Sequence, residues 1–569
     1  MTRKLISLIL AIIIMITPCM SFFAQGNDEE KYFTSEPIIL ISGFMCSPLY
    51  KNYGEENCVK VWGPDKSIIK SVLKENALKI PGALFSLFTE KKEKFYALSD
   101  TLLSAFFSPL ECDNIGEPIE ELEHYKNSPA SSNIKYMLEE DGGKYLYEVP
   151  FCTYLNKIAN GDNIFCFQYD SRLDAVKIAQ ELKEFIDEVL EYTGKSKAKI
   201  FALSYGGLIT TTYLSLYKDE NKVSKAVLSV PALGGTDLPE RIFTGNVNAN
   251  IGNATRFLET ASRSGTRAAS YLKNSDAQSL NRIVGNLCKK LSGTIKYWGS
   301  IWCLMTNESY YALRDELLNK EEDAAFIENL DYIHDNIMGN MHSLLNGFKK
   351  DGIDISIIAG YGTSLALGGT LNGDIVLPVS GVTGARSADI GESLDLDESS
   401  LGSRFSPDMT VDASTCYLPD NTFFVYGHFH GQYYYEDYTR TLVTKLLFTE
   451  EIENVSSSPS FPQFAYSNNK YIGLNLALKA NYLRNDAKEI ALCNVTEKYK
   501  IKVLKIKSDS GAEFRALSSG IIKSGEEGKI ELKKGFDKGE ERVCHFKIYY
   551  IKLSLLHPFC SCEFDIMVK

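Results

Sequence analysis

The sequence predicts an α/β fold: a mainly parallel sheet with helices on both faces, carrying a cap insert and followed by a small all-β module. Three observations carry that prediction. Apolar, strand-like runs alternate with amphipathic stretches between residues 36 and 448, the alternation that βαβ units produce. A long polar and helical insert interrupts it over about residues 240–348. After residue 448 the texture changes to short alternating runs separated by Gly, Asn, Asp and Ser, the pattern of a β-sandwich.

At the N-terminus Arg3 and Lys4 precede an apolar run from Leu5 to Ile16, then Pro18 and small residues up to Ala24. This is the layout of a secretory signal, with cleavage expected after Ala24 and a secreted or cell-surface location. The run is short for a membrane span. Lipoprotein processing at Cys19 ranks below simple export, because Pro18 before it fits poorly.

Residues 36–44 (EPIILISGF) read as a buried strand running into Gly43, and residues 162–168 (DNIFCFQ) as another. Residues 174–192 follow as a helix, with Val176, Ile178, Ala179, Leu182, Phe185, Ile186, Val189 and Leu190 at helical spacing. Further strands are expected at residues 200–203, 225–230 (KAVLSV), 353–359 (IDISIIA) and 421–426 (NTFFVY), with a helix at 437–448. Residues 455–463 (VSSSPSFPQ) read as a Ser/Pro linker between a domain over 30–454 and a β-module over 464–569. That module has no visible catalytic chemistry and is expected to bind a surface or a partner.

The 569-residue chain is 44% hydrophobic, an ordinary globular balance, and its formal net charge of −12 argues against nucleic acid as a partner. The Lys-rich stretch 498–507 (KYKIKVLKIK) reads as a strand with one wet face. Twelve of the 13 cysteines follow Ala24, and export permits disulfides. Cys46 with Cys58, and Cys560 with Cys562 or Cys544, are the local candidates. Without a C-x-x-C pair, and with only seven histidines, a structural zinc site is not expected.

Chemistry centres on residues 199–214 (KIFALSYGGLITTTYL). Strand, tight turn and helix meet at Ser204, with Gly206 in the last position of a G-x-S-x-G pattern and Ala202 where the first glycine would stand. Such turns also occur for packing alone. A serine hydroxyl needs a histidine to take its proton and a carboxylate to hold that histidine, and in one arrangement they follow in the order Ser, Asp or Glu, His, on loops after strands. Asp374 lies on the loop of residues 373–378 (GDIVLP), where a turn residue or calcium ligand is the alternative. Asp351 and Asp354 precede the strand and are weaker. His430 in residues 427–431 (GHFHG) is the expected base, with His428 its rival. Backbone N–H groups of Tyr205 and of Phe44, with Met45 as the alternative, are the expected oxyanion donors.

With these residues in view, the chain resembles the family of lecithin:cholesterol acyltransferase and the related phospholipid acyltransferases and phospholipases, which have the α/β-hydrolase fold. Residues 169–173 (YDSRL) look like its Tyr-Asp-Trp-Arg segment, with Ser171 in place of tryptophan. Residues 192–195 (YTGK), 229–245 (SVPALGGTDLPERIFTG) and 360–363 (GYGT), and Trp302 with Leu304, also fit. The departures are the elbow's Tyr205 and Gly206–Gly207, the lost tryptophan and the C-terminal module.

The resemblance implies cleavage of an acyl ester of a lipid at a membrane interface through an acyl-enzyme on Ser204, with no metal or organic cofactor. It also implies a lid, around residues 50–64 and within 244–346. There Cys46 and Cys58 would close a small loop and Trp62 would anchor at the interface, a core tryptophan being the plain alternative. Asp170 and Arg172 form a structural pair, with Arg172 a candidate for a lipid headgroup. A peptidase or thioesterase on the same fold, and a non-catalytic surface-binding protein, are the competing readings.

Overall fold

The computed structural model describes residues 31–62, most of 75–248, 277–394, most of 404–466 and separate stretches between 476 and 568. The expected signal at 1–24 and the lid segment 249–276 lie outside the described residues. Two compact units are distinguished, one over residues up to 226, 231–353 and 365–369, the other over 227–230, 354–364 and 370–569.

The α/β class read from the sequence is the observed one. Its strands are β1 (Ile38–Ile41), β2 (Ile164–Phe167), β3 (Ala198–Leu203), β4 (Val223–Ser229), β5 (Asp354–Tyr361), β6 (Thr422–Tyr426) and β7 (Phe464–Tyr466). They make one seven-stranded sheet in the order β7-β6-β5-β4-β3-β1-β2. The pairs β1–β2, β1–β3, β5–β6 and β6–β7 are all parallel. Every residue of β1 and β2 is buried, as strands covered on both faces must be, which is why they read as unbroken apolar runs.

In the first unit, helix α1 (Ala175–Thr193) starts where the Asp174 carboxylate accepts the N–H groups of Val176 and Lys177, and stops at Gly194 in the left-handed region. Such a cap stabilises a helix by about 1 kcal/mol. Its buried stripe is the expected one except that Val176 is only half-buried. Helix α2 (Tyr205–Tyr217) is buried over its first ten residues, so it carries almost no polar face. The insert folds into helices Ala277–Thr294, Gly299–Cys303, Asn307–Leu317, Ala324–Tyr332 and Met341–Lys350, with a π-helical turn at Ile333–Ile337. Trp298 and Trp302 are buried in it, donating their indole N–H to Leu110 O and Lys296 O at 2.6 and 2.7 Å.

In the second unit, β5, β6 and β7 are in register, with Phe424 opposite Ala359 and Phe464. Residues 464–466, which the Ser/Pro composition assigned to the C-terminal module, are thus the edge strand of the central sheet. Phe464 stacks on Phe424 with ring centroids 5.1 Å apart, and this burial holds the strand there. Helix α3 (Asp437–Phe448) precedes it. Beyond β7 lie a four-stranded and a five-stranded sheet. Lys500–Ser508 alternates exposed and buried residues over its first five positions, as a strand with one wet face does.

Two cysteine expectations change. Cys46 and Cys58 each carry a thiol rather than a shared disulfide. In the long C-terminal hairpin Cys544 stands opposite Ile566, whereas Cys560 and Cys562 stand opposite Tyr550 and Ile548. A four-residue offset along a strand is about 13 Å, beyond the reach of a disulfide, so Cys544 pairs with neither. Among the described residues no helix is long and apolar enough to cross a membrane, and no cluster of His, Cys, Asp and Glu has metal-binding geometry.

Candidate active site

The strand order locates a crevice in the first unit. β1 and β3 are neighbours, and the chain leaves β1 for β2 on one side and β3 for β4 on the other; ligands bind at the carboxyl ends of strands where such a switch occurs. The two chain segments that leave this point are the loop after β1, with Gly43 and Phe44, and the turn after β3, with Ser204.

Ser204 has φ 51° and ψ −119°, a left-handed backbone that an L-residue with a Cβ adopts only under constraint. The constraint is visible. Its carbonyl accepts the N–H groups of Gly207 at 3.0 Å and Ala232 at 2.9 Å. A Cβ on Gly206 would lie 2.7 Å from Ser42 O and 2.8 Å from Ile41 O, so only glycine lets α2 start this close to β1. The Ser204 hydroxyl does not cap its own helix, and the residue is half-buried at the helix N-terminus. This is the geometry of a nucleophile elbow.

The facing loop is braced from several sides. Tyr169 shares its hydroxyl hydrogen between Ser42 O at 2.8 Å and Gly43 O at 2.9 Å. Cys46 N–H closes the turn on Gly43 O, and Met45 sits at φ 59° within it. The Met45 N–H is donated to Ser171 Oγ at 3.0 Å, which removes Met45 as an oxyanion donor and leaves Phe44 as the loop's candidate. The Phe44 ring stands edge-on to Tyr205, centroids 6.4 Å apart. Tyr169 and Ser171 are residues that sequence reasoning missed as site supports. The signal was present in the YDSRL segment, where the serine that replaces tryptophan supplies the acceptor.

In the second unit Asp374 is fully buried on the loop after β5. One carboxylate oxygen accepts the N–H groups of Val376 at 3.0 Å and Leu377 at 2.7 Å, and the other meets His430 Nδ1 at 2.8 Å. The backbone ties the same two residues, His430 N–H donating to Asp374 O at 2.9 Å. Ile375 has φ 84°, a strained value for a β-branched residue, and the turn holding it is tight enough that a Cβ on Gly373 would lie 2.1 Å from Leu377 O. The partner of Asp374 is therefore His430, while His428 is buried at 0% exposure with its carbonyl packed on Gly360, where a Cβ would come within 2.5 Å. With Asp374 accepting at Nδ1, the ring carries its proton there and its lone pair at Nε2.

Two expected substrate contacts are corrected. Trp62 is 4% exposed, donates its indole N–H to Met45 O at 2.8 Å and packs on Phe107, so it is a core residue under the Gly43–Cys46 turn. The hairpin of Leu49–Lys51 and Val59–Trp62 occupies the stretch expected as a lid loop. Arg172 is 0% exposed and forks onto Asp170 through Nε at 3.0 Å and a terminal nitrogen at 2.7 Å. It is committed to a buried ion pair and presents nothing to a headgroup.

No family model matches the chain, and no curated protein matches it. Solved structures similar to it include the Tle4–Tli4 complex, at 11% identity over 58% of this chain and 75% of that one, with a TM-score of 0.26. Phospholipase PlaB from Legionella pneumophila, in complex with thio-NAD, is 11% identical over 71% and 80% of the two chains, TM-score 0.23. A structure from work on carboxylesterases of the thaumarchaeon Nitrososphaera gargenis is 12% identical over 41% and 70%, TM-score 0.18. At this degree of likeness the chemistry rests on the residues described above.

Proposed function

We propose that this protein is an exported serine hydrolase or O-acyltransferase of lipid acyl esters. Ser204 is its nucleophile, His430 its base and then acid, Asp374 the group that orients the histidine, and the N–H groups of Phe44 and Tyr205 its oxyanion donors. The observation that carries the reading is the Asp374–His430 pair at 2.8 Å, with the second carboxylate oxygen already held by two amides, in a chain whose strained elbow serine precedes both. The lipid preference comes from the resemblance to the lecithin:cholesterol acyltransferase family.

In the reaction His430 Nε2 takes the Ser204 hydroxyl proton as Oγ attacks the ester carbonyl carbon. The oxyanion of the tetrahedral intermediate is met by the two N–H groups, and the imidazolium is balanced by Asp374. Nε2 then gives the proton to the departing alkoxide, the C–O bond breaks, and an acyl-enzyme remains. Water or an alcohol, deprotonated by Nε2, attacks that ester and releases the acid or a new ester with Ser204 restored.

A fluorophosphonate probe, with the adduct located by peptide mass spectrometry, tests this reading. Labelling at Ser204 that disappears in Ser204→Ala is expected. A folded protein that stays unlabelled in the presence of detergent would overturn it and turn attention to a binding role.

A further inference from the structure

The C-terminal five-stranded sheet carries a face that the chemistry at Ser204 does not use. Strand Lys500–Ser508 lies in it between Arg542–Leu553 and Ile521–Ile522. Ile501 and Val503 point into the core at 0% and 8% exposure, and Ile548 and Tyr550 of the neighbouring strand are buried with them. Lys500 and Lys502 stand on the opposite, wet face.

Strict alternation would turn the next two lysines inward, because Lys505 and Lys507 are an even number of residues from Ile501 and Val503. The register against Arg542–Leu553 shifts between Val503 and Lys505, which makes Leu504 the extra residue of a β-bulge. Leu504 is 48% exposed, and Lys505 and Lys507 are exposed beyond it. The bulge thus keeps four lysines on the wet face and sets a leucine among them.

These lysines lack acidic partners. Among the described residues no carboxylate comes within ion-pair distance of Lys500, Lys502, Lys505 or Lys507. On the four-stranded sheet, by contrast, the exposed Arg515 and Lys529 meet Glu531 and Glu489 at 2.7 Å. Lysines two residues apart on a strand are separated by about 7 Å, within a Debye length of about 8 Å, so they repel one another. Lys507 also stands directly opposite Lys547, an unfavourable like-charge pair. Only the ring of Tyr549 lies between them, with the two ammonium nitrogens 5.7 and 6.0 Å from its centroid. Apolar side chains share the face: Ile521, 40% exposed, is opposite Lys502 on one side, and the half-buried Ile551 is opposite it on the other.

A chain of net charge −12 that gathers unpaired lysines on one sheet face has there a surface complementary to anions. Leu504 and Ile521 among them are complementary to an apolar layer behind the anions. An anionic bilayer presents both, charged headgroups outside and hydrocarbon beneath. We propose that this face docks on an anionic phospholipid bilayer, with the four lysines at the phosphates and Leu504 inserted between headgroups. The inference stands apart from the assignment of Ser204 and survives its failure.

The test is flotation of the exported protein with vesicles of phosphatidylcholine, with and without phosphatidylglycerol. Binding that requires phosphatidylglycerol and falls as salt is raised is expected. Each lysine at such a surface strengthens attachment about 5-fold, so Lys502→Gln/Lys505→Gln should bind at least 10-fold more weakly, whereas Lys502→Arg/Lys505→Arg should stay within about 3-fold of wild type. Leu504→Ser changes no charge and should weaken vesicle binding about 5-fold, with retention on immobilised heparin unchanged. All three variants alter exposed side chains and are expected to keep the wild-type urea midpoint. Equal binding to vesicles without phosphatidylglycerol, or a glutamine pair that binds as wild type does, would overturn the proposal. Full vesicle binding by Leu504→Ser, together with heparin retention that depends on the lysines, would also overturn it and reassign the face to an anionic glycan.

Discussion

Replacing Asp374 by asparagine tests the acid–base half of the site without changing its volume. The carboxylate oxygen that accepts from Val376 and Leu377 at 3.0 and 2.7 Å holds two charge-assisted bonds, each worth about 1.5–3 kcal/mol. An asparagine amide nitrogen in that place would face two donors, so the carbonyl oxygen stays there and the NH2 group turns to His430. Nδ1 must then accept, the ring proton moves to Nε2, and the base is lost. A wrong tautomer of this kind costs about 10⁴ in kcat, or ~5.4 kcal/mol at 1.36 kcal/mol per decade. The assay is kcat on a soluble ester, with urea unfolding to show that the variant folds. Activity within 10-fold of wild type would refute the tautomer argument and reopen His428 or another base.

Ser204→Gly should abolish turnover and raise stability by about 1 kcal/mol, since the Cβ at φ 51° is gone; an unfolding midpoint at or below wild type would contradict the strain assigned to the elbow. Ser171→Ala leaves the Met45 N–H without its acceptor, which should cost about 1–3 kcal/mol of stability and lower kcat about 10-fold with little change in KM; an equal fall through KM alone would place the effect in binding instead. Glu181, on α1, has its pKa pushed up to about 7 by burial, with Asp170 and Glu184 adding to the rise. Because the folded value is above the unfolded one, its stabilising share is present below about pH 4.3 and is lost as pH rises toward 7. Glu181→Gln should therefore match wild type at pH 4.5 and exceed it by about 1–2 kcal/mol at pH 8, after allowance for the residue's partial exposure. Denaturant unfolding at the two pH values checks this, and a gap that does not change with pH would count against it.

Much of the scaffold is legible in local pattern. Unbroken apolar runs mark strands buried on both faces, as Ile38–Ile41 and Ile164–Phe167 are, and the 3.6-residue recurrence from Ile178 to Leu190 marks the buried stripe of α1. The candidate residues were found the same way, because Ser204, Asp374 and His430 each follow a strand and glycines stand where the turns are tightest. Periodicity and turn chemistry act over a few residues, so they can be read a few residues at a time.

Partnerships across long separations are different in kind. That Asp374 meets His430 rather than His428 depends on how two loops converge 56 residues apart. That Met45 spends its N–H on Ser171 depends on a contact across 126 residues. Trp62 and Arg172 have the composition of surface anchors and are buried, one under the Gly43–Cys46 turn and the other against Asp170. The edge strand Phe464–Tyr466 sits beside Ser and Pro residues that read as a linker, yet joins the sheet because Phe424 offers it a face. Chain order thus determined which residues stand at strand ends. Which of them touch was decided by tertiary packing, since a hydrogen bond or buried face depends on distance in space, and no local period encodes it.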